Sequence, residues 1–163
     1  MEVKPAKAVG HYIHPMLIVF PLGLFVTAII FDVIHFITGT PIWSVISYWM
    51  IAAGIIGGLL AAVFGLLEWL SLSSGSRAYR IGAWHGIGNV VVVLLFAASW
   101  MMRRGDPGAP SMAAFVFMLV GGCLGLVTGW LGGELVERLG IGVDKGAHPN
   151  APSSLTTKNV GPT

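Results

Sequence analysis

The chain has 163 residues, of which 55% are hydrophobic and only 10% are charged, and its formal net charge is +2. A soluble domain usually carries about 25% charged residues, so this composition excludes an ordinary soluble enzyme and indicates a protein that spans a membrane. The small net charge excludes nucleic acid as a partner and leaves the lipid bilayer as the first one.

Four apolar stretches are long enough to cross about 30 Å of hydrocarbon at a rise of about 1.5 Å per residue. They cover Tyr12–Ile37, Val45–Leu70, Ile81–Met102 and Met112–Leu139. Short turns separate them, so consecutive helices run antiparallel. The sequence therefore predicts an all-α fold, an integral membrane up-down-up-down four-helix bundle. Residues 1–11 form an N-terminal segment, residues 12–139 the transmembrane domain, and residues 140–163 a flexible polar tail.

Basic residues are distributed unevenly between the two ends of this bundle. The end with both termini carries Lys4, Lys7, Arg77, Arg80, Arg138, Lys145 and Lys158. The other end carries Arg103 and Arg104. Because short cytoplasmic segments are enriched in Lys and Arg, the sequence predicts that both termini lie in the cytoplasm.

Ionisable residues within membrane spans are candidates for function by default. His14 and His85 lie near the starts of the first and third helices, and Glu68 and Glu134 near the ends of the second and fourth. Since the helix directions alternate, all four belong to the cytoplasmic half. Asn89 follows His85 by one turn and can orient its imidazole. We expect these five residues to form one site.

The first helix also carries polar residues near its other end. Asp32 lies 18 residues, or five turns, after His14, so both lie on one line along the helix. His35 follows three positions later. A second, smaller polar spot is therefore expected at the periplasmic end. Pro21 and Gly23 predict a kink or loosened backbone between the two spots.

Small residues recur at helical spacing in the second and fourth helices. They are Gly54 and Gly58, the neighbouring row Gly57, Ala61 and Gly65, and the ladder Gly121, Gly125, Gly129 and Gly133. Such rows let helices approach closely, within one chain or between copies. A flat cofactor lying against a surface without side chains is the alternative interpretation.

Three interpretations of the ionisable residues remain open. A b-type haem needs two axial ligands, commonly imidazoles, and His14 and His85 are of this kind. The same histidines with Glu68 and Glu134 suit a single zinc or iron ion, or a proton site. In the third interpretation these polar side chains lie near the membrane interface, extend to water and bind no ligand. No complete catalytic motif is present, so a redox role would be electron transfer rather than hydrolysis or group transfer.

Several motifs resemble one bacterial membrane-protein family, domain of unknown function 2231. They are His14-Pro15, Phe20-Pro21-Leu22-Gly23-Leu24, Asp32, Gly65-Leu66-Leu67-Glu68, His85 with Asn89, and Gly129 to Val136 followed by Gly140 and Gly142. The resemblance implies a four-helix protein of the bacterial inner membrane. Its outline is also similar to cytochrome b-like bundles, which favours haem by analogy.

Our leading hypothesis from the sequence is a haem-binding electron-transfer protein, with His14 and His85 as ligands and Glu68, Asn89 and Glu134 around them. Its partner would be an electron carrier. The alternative is an accessory or scaffolding subunit of a respiratory or photosynthetic membrane complex, without its own cofactor. The glycine faces and the absence of a complete reaction motif support that alternative.

Overall fold

The computed structural model describes residues 6–156. Its elements are β1 (Lys7–Ala8), β2 (His11–Tyr12), α1 (Ile13–Leu17), α2 (Val19–Thr38), α3 (Pro41–Leu70), α4 (Arg77–Met102), α5 (Met112–Gly133) and a π-helical turn (Glu134–Arg138). They form four apolar spans, named here span 1 (Ile13–Thr38), span 2 (Pro41–Leu70), span 3 (Arg77–Met102) and span 4 (Met112–Arg138). The predicted all-α bundle of four membrane helices is confirmed, with spans 2 and 3 each beginning four residues earlier than expected.

Local sequence explains where the spans begin and end. Gly39 ends span 1 in the left-handed conformation at φ 67°, which glycine adopts without strain. Pro41 opens span 2 within its first turn, where its missing N–H is not needed. Ser76 and Ser111 cap the starts of spans 3 and 4. Each serine hydroxyl accepts a hydrogen bond from the backbone N–H three residues later, which belongs to Tyr79 and to Ala114 respectively.

Two irregularities interrupt the helices. Span 1 is broken at Ile18, between α1 and α2. Pro21 explains the break, because it cannot donate to the carbonyl of Leu17 four residues before it, and its ring crowds that carbonyl. The predicted irregularity is therefore present as an interruption of the helix at Ile18, slightly nearer the N-terminus than Pro21 itself. Span 4 ends in the π-helical turn, which the sequence analysis did not predict.

The spans pack as two hairpins. Hairpin A (residues 13–70) contains spans 1 and 2, and hairpin B (residues 77–138) contains spans 3 and 4; packing is closest within each hairpin. Between hairpins, span 2 lies beside span 3 and span 1 beside span 4. Spans 1 and 3 are therefore diagonal neighbours across the bundle axis, as expected for an up-down-up-down order.

The interior is small and the outer surface is apolar. Phe25, Phe96, Ile51 and Met118 form the centre of the core, all at most 7% exposed. Large apolar side chains cover the outside, and Leu126, for example, is 74% exposed. So much exposed apolar surface is unsuitable for water and suits a bilayer. Two residues of the orientation prediction, Lys4 and Lys158, lie outside the described residues.

Candidate functional site

The two histidines of spans 1 and 3 face each other across the bundle axis. The ring centroids of His14 and His85 are 6.3 Å apart, and the ring planes are nearly perpendicular at 89°. Both residues are half-buried. The prediction that alternating helix directions bring these two imidazoles to one depth is thus realised as direct proximity.

Each imidazole is anchored through the same ring nitrogen. His14 Nδ1 lies 2.8 Å from the carbonyl oxygen of Ala61, and His85 Nδ1 lies 2.8 Å from that of Thr128. A carbonyl can only accept, so Nδ1 carries the hydrogen in both rings. In the neutral form Nε2 then presents its lone pair, which is the state of a metal-binding histidine.

Asn89 occupies the position next to His85 that its spacing of one turn predicted. Its amide nitrogen lies 3.2 Å from His85 Nε2 and also donates to the His85 carbonyl oxygen at 2.8 Å. Its amide oxygen accepts from the Thr128 hydroxyl at 3.1 Å. The amide therefore fixes the His85 ring, and a metal at Nε2 requires this amide to turn away.

Glycines make room for both imidazoles. A Cβ atom at Gly65 would lie 2.9 Å from His14 Cε1, and one at Gly132 would lie 3.1 Å from His85 Cε1. These two glycines therefore serve close packing of side chains. By contrast, a Cβ atom at Gly125, Gly129 or Gly133 would meet nothing within 4 Å, so most of the ladder on span 4 is not used inside the described bundle.

Glu68 connects the histidines with the surface on the side of the termini. Its carboxyl group faces the backbone N–H of His14. Its Oε1 atom is buried without a hydrogen-bond partner among the described residues. A pocket of about 460 Å³ adjoins it and is also lined by Lys7, Tyr12 and Lys145. Glu68 thus lies between the imidazole pair and a route from the aqueous phase.

Glu134 is engaged elsewhere. Its Oε2 atom accepts from Arg77 Nη2 at 2.7 Å, and the side chain of Arg77 is 54% exposed. Of the five predicted site residues, the structure brings His14, His85, Asn89 and Glu68 together and pairs Glu134 with this arginine. Glu134 is the first residue of the π-helical turn, and its own backbone is still α-helical at φ -57° and ψ -41°.

The predicted polar spot at the opposite end exists, with a different partner. Arg103 Nη2 lies 2.5 Å from Asp32 Oδ2, and neither side chain is exposed. Arg103 also donates to Ser47 Oγ at 3.4 Å. His35 instead lies 3.1 Å from the carbonyl oxygen of Thr40, at the end of its own helix. The sequence analysis counted Arg103 only among the basic residues of this end and did not pair it with Asp32.

Few of the described side chains around the histidine pair are placed to bind a metal ion that has no ligands of its own. Between residues 6 and 156, no group of three or more His, Cys, Asp or Glu side chains is placed to hold one.

The fold and this polar site define a class, a four-helix integral membrane protein with histidines facing each other between its hairpins. A sequence profile described as "Predicted membrane protein (DUF2231)" matches residues 10–145. The chain belongs to this family, which confirms the resemblance carried by its motifs. No curated protein and no solved structure matches the chain.

Proposed function

We propose that the chain binds one b-type haem between spans 1 and 3 for electron transfer in the membrane, and that His14 and His85 are the residues that would hold it. The observation that carries this proposal is the imidazole pair itself, with centroids 6.3 Å apart and both Nδ1 atoms anchored to backbone carbonyls.

The small number of ligands favours haem over a bare ion. Zinc sites use about four ligands, of which at least three come from the protein. A haem would bring most of the ligands of its iron itself, so that two imidazoles from the protein would suffice. When bound, it supplies one-electron chemistry at its iron. The donor set of His14 and His85 therefore fits this group.

Neighbouring groups prepare the two ligands. The carbonyl oxygens of Ala61 and Thr128 hold the Nδ1 hydrogens, which fixes the orientation and the tautomer of each ring. Asn89 holds the His85 ring through its amide nitrogen, while its amide oxygen accepts from the Thr128 hydroxyl. Glu68 lines the way from the pocket and places a carboxylate beside His14.

Visible spectroscopy tests the proposal. The protein is expressed with a supply of haem and purified in detergent. We expect a Soret band, with sharp bands of a low-spin iron after reduction by dithionite. His14→Ala and His85→Ala should each remove or strongly shift these bands, whereas His35→Ala, at the other end of span 1, should not. Imidazole added to the His85→Ala variant should restore the low-spin spectrum.

Two results would overturn the haem assignment. One is a folded wild-type protein without a Soret band. The other is a band that persists unchanged in both histidine variants. Metal analysis of the same sample identifies the replacement, since stoichiometric zinc or iron without a Soret band would assign a non-haem ion to the same histidines.

A second candidate function is an accessory subunit that packs against other membrane helices. The open stripe of Gly125, Gly129 and Gly133 favours it, because exposed small residues at this spacing are typical of helix association. A colourless, metal-free protein that co-purifies with a larger complex after mild solubilisation would support this function over the first. Loss of that association in Gly129→Leu would locate the contact.

The orientation in a bacterial inner membrane is part of the proposal. On the side of the termini, the described residues include the cations Lys7, Arg77, Arg80, Arg138 and Lys145. On the other side Arg103 is buried in its ion pair, which leaves Arg104 exposed in that turn. This asymmetry supports cytoplasmic termini. A green fluorescent reporter fused to the C-terminus should fluoresce, and an alkaline phosphatase fusion there should be inactive; the reverse pattern would invert the topology.

A further inference from the structure

Six side chains that meet on the bundle axis lie at equal spacings in spans 1 and 3. They form the pairs His14–His85, Phe25–Phe96 and Asp32–Arg103. In every pair the second residue lies 71 positions after the first, from 14 to 85, from 25 to 96 and from 32 to 103. The buried residues Ala28 and Ser99 have the same separation, and both are 0% exposed.

Spans 2 and 4 show a matching regularity, with a separation of 67 positions. The equivalent residues are Gly54 and Gly121, Ala61 and Thr128, and Gly65 and Gly132. Each member does the same thing in its own hairpin. Gly54 makes room for Phe25 as Gly121 does for Phe96, and Gly65 makes room for His14 as Gly132 does for His85.

The hydrogen bonds of the histidines obey the same relation. The carbonyl oxygens of Ala61 and Thr128 accept from their respective imidazoles at an identical distance of 2.8 Å. Four independent features, namely axial pairs, glycine contacts, carbonyl anchors and burial, therefore relate hairpin A to hairpin B. Because spans 1 and 3 run in the same direction on opposite sides of the axis, the operation that relates the hairpins is a two-fold rotation about the bundle axis.

We propose that the chain is a pair of equivalent helical hairpins joined about this pseudo-two-fold axis, and that Asp32–Arg103 is the recognition element that makes each hairpin select the other as its partner. The alternative partner for either hairpin is the same hairpin of a second copy. The small-residue and aromatic contacts on the axis are similar in both arrangements, so they cannot select between them.

The charged pair can make this selection. Two copies of hairpin A paired about such an axis would place two Asp32 carboxylates together in a buried layer, and two copies of hairpin B would place two Arg103 guanidinium groups together. Like charges within a few ångströms in a low-dielectric interior repel strongly. Only the mixed pair joins opposite charges, at the 2.5 Å separation in the structure.

Exchange of the charges tests the two-fold relation in the full chain, without any cofactor. If positions 32 and 103 are equivalent, Asp32→Arg combined with Arg103→Asp restores the ion pair, with the acid and the base exchanged between the two hairpins. Arg103 also uses Ser47, whose equivalent after 67 positions is Ala114. A fourfold variant that adds Ser47→Ala and Ala114→Ser therefore carries the hydroxyl partner to the other hairpin as well.

We expect each single charge variant to lose roughly 10 °C in its unfolding midpoint in detergent, or to fail to accumulate, because it buries two like charges. The double exchange should recover at least half of that loss, and the fourfold variant more. The matched control combines Asp32→Arg with Arg104→Asp. Arg104 is the exposed neighbour of Arg103, so this control should remain as unstable as Asp32→Arg alone.

Double and fourfold variants that are no more stable, and accumulate no better, than the single variants would overturn the proposal. Recovery by the Arg104 control equal to that of the true exchange would overturn it too, since net charge rather than equivalent position would then be responsible. The haem spectrum has no part in these measurements, so the proposal is independent of the function assigned to His14 and His85.

Discussion

The histidine layer and the ion-pair layer are built from equivalent positions of the same two spans, yet their chemistry is opposite. In the first, two half-buried imidazoles face each other beside a pocket that reaches the surface, and a carboxylate oxygen of Glu68 has no partner among the described residues. In the second, Asp32 and Arg103 are fully enclosed and neutralise each other.

This difference separates a layer that can accept a ligand from one that holds the bundle together. In the open histidine layer, an imidazole Nε2 can exchange one hydrogen-bond partner or ligand for another with little loss of folding stability. A buried ion pair cannot lose one member without leaving a charge in the interior. Substitutions should therefore affect stability most at the ion pair and least near the histidines and the surface beside them.

The largest effect is expected for Arg103→Ala. It leaves Asp32 buried without its cation, and such a loss typically destabilises a protein by about 3–5 kcal/mol. Thermal or denaturant unfolding in detergent measures it. Arg104→Ala is the matched control; that side chain is exposed over the Trp100 ring, so its removal should change stability by less than about 1 kcal/mol. Equal effects of both variants would contradict the contrast between the layers.

Gly54→Ala probes the aromatic layer between the two polar ones. The new Cβ atom would lie 2.5 Å from Cε1 of Phe25, whose ring is stacked on Phe96. Overpacking of this kind typically destabilises by about 1–3 kcal/mol. The same unfolding measurement applies, with Gly125→Ala as the control because its Cβ atom would meet nothing within 4 Å. A Gly54→Ala variant as stable as this control would show that the Phe25 and Phe96 rings can shift to admit the new methyl group without loss of stability.

Gly65→Ala should disturb the histidine layer with a smaller loss of stability. Its Cβ atom would lie 2.9 Å from His14 Cε1, so the ring must turn and lose its bond with the Ala61 carbonyl. The loss of one such hydrogen bond costs about 1 kcal/mol. In haem-loaded protein the same change should also weaken or shift the Soret band. Gly133→Ala, with open space around its Cβ atom, should leave both quantities unchanged.

The smallest effect is expected for Glu134→Ala. Its partner Arg77 is 54% exposed, and ion pairs in contact with solvent contribute about 0–1 kcal/mol. A double-mutant cycle with Arg77→Ala isolates the interaction. A coupling above about 2 kcal/mol would place Glu134 among the groups that hold the bundle together and would contradict its placement at the solvated surface.

Much of this architecture was predictable because a bilayer imposes simple rules on sequence. The four spans, the common depth of His14 and His85, and the contact of Asn89 all follow from span length, alternating direction and helical period. The break near Pro21 follows from its missing N–H. None of these inferences requires knowledge of how side chains pack.

What spacing alone did not reveal has equally physical causes. At 100° per residue Glu134 lies about 100° from the face of Gly133, and in the structure its carboxylate on span 4 pairs with Arg77 on span 3. Arg103 was counted only among the basic residues of its end because charge near a helix end is usually solvated. A signal for its true role was present, since Asp32 lies 18 residues after His14 and Arg103 lies 18 residues after His85. The role of Gly65 depends on where an imidazole from another helix lies, which spacing alone does not reveal.

The Phe25–Phe96 stack has a consequence for the membrane itself. With ring centroids 3.9 Å apart, and with Ile51, Met118 and Val92 around it, it forms a buried apolar layer between the two polar ends. Water that reaches the histidines from one face meets this hydrocarbon wall before it reaches the other. The bundle can thus carry charged groups at both ends and still remain tight to ions and protons, so that it does not short-circuit the membrane potential.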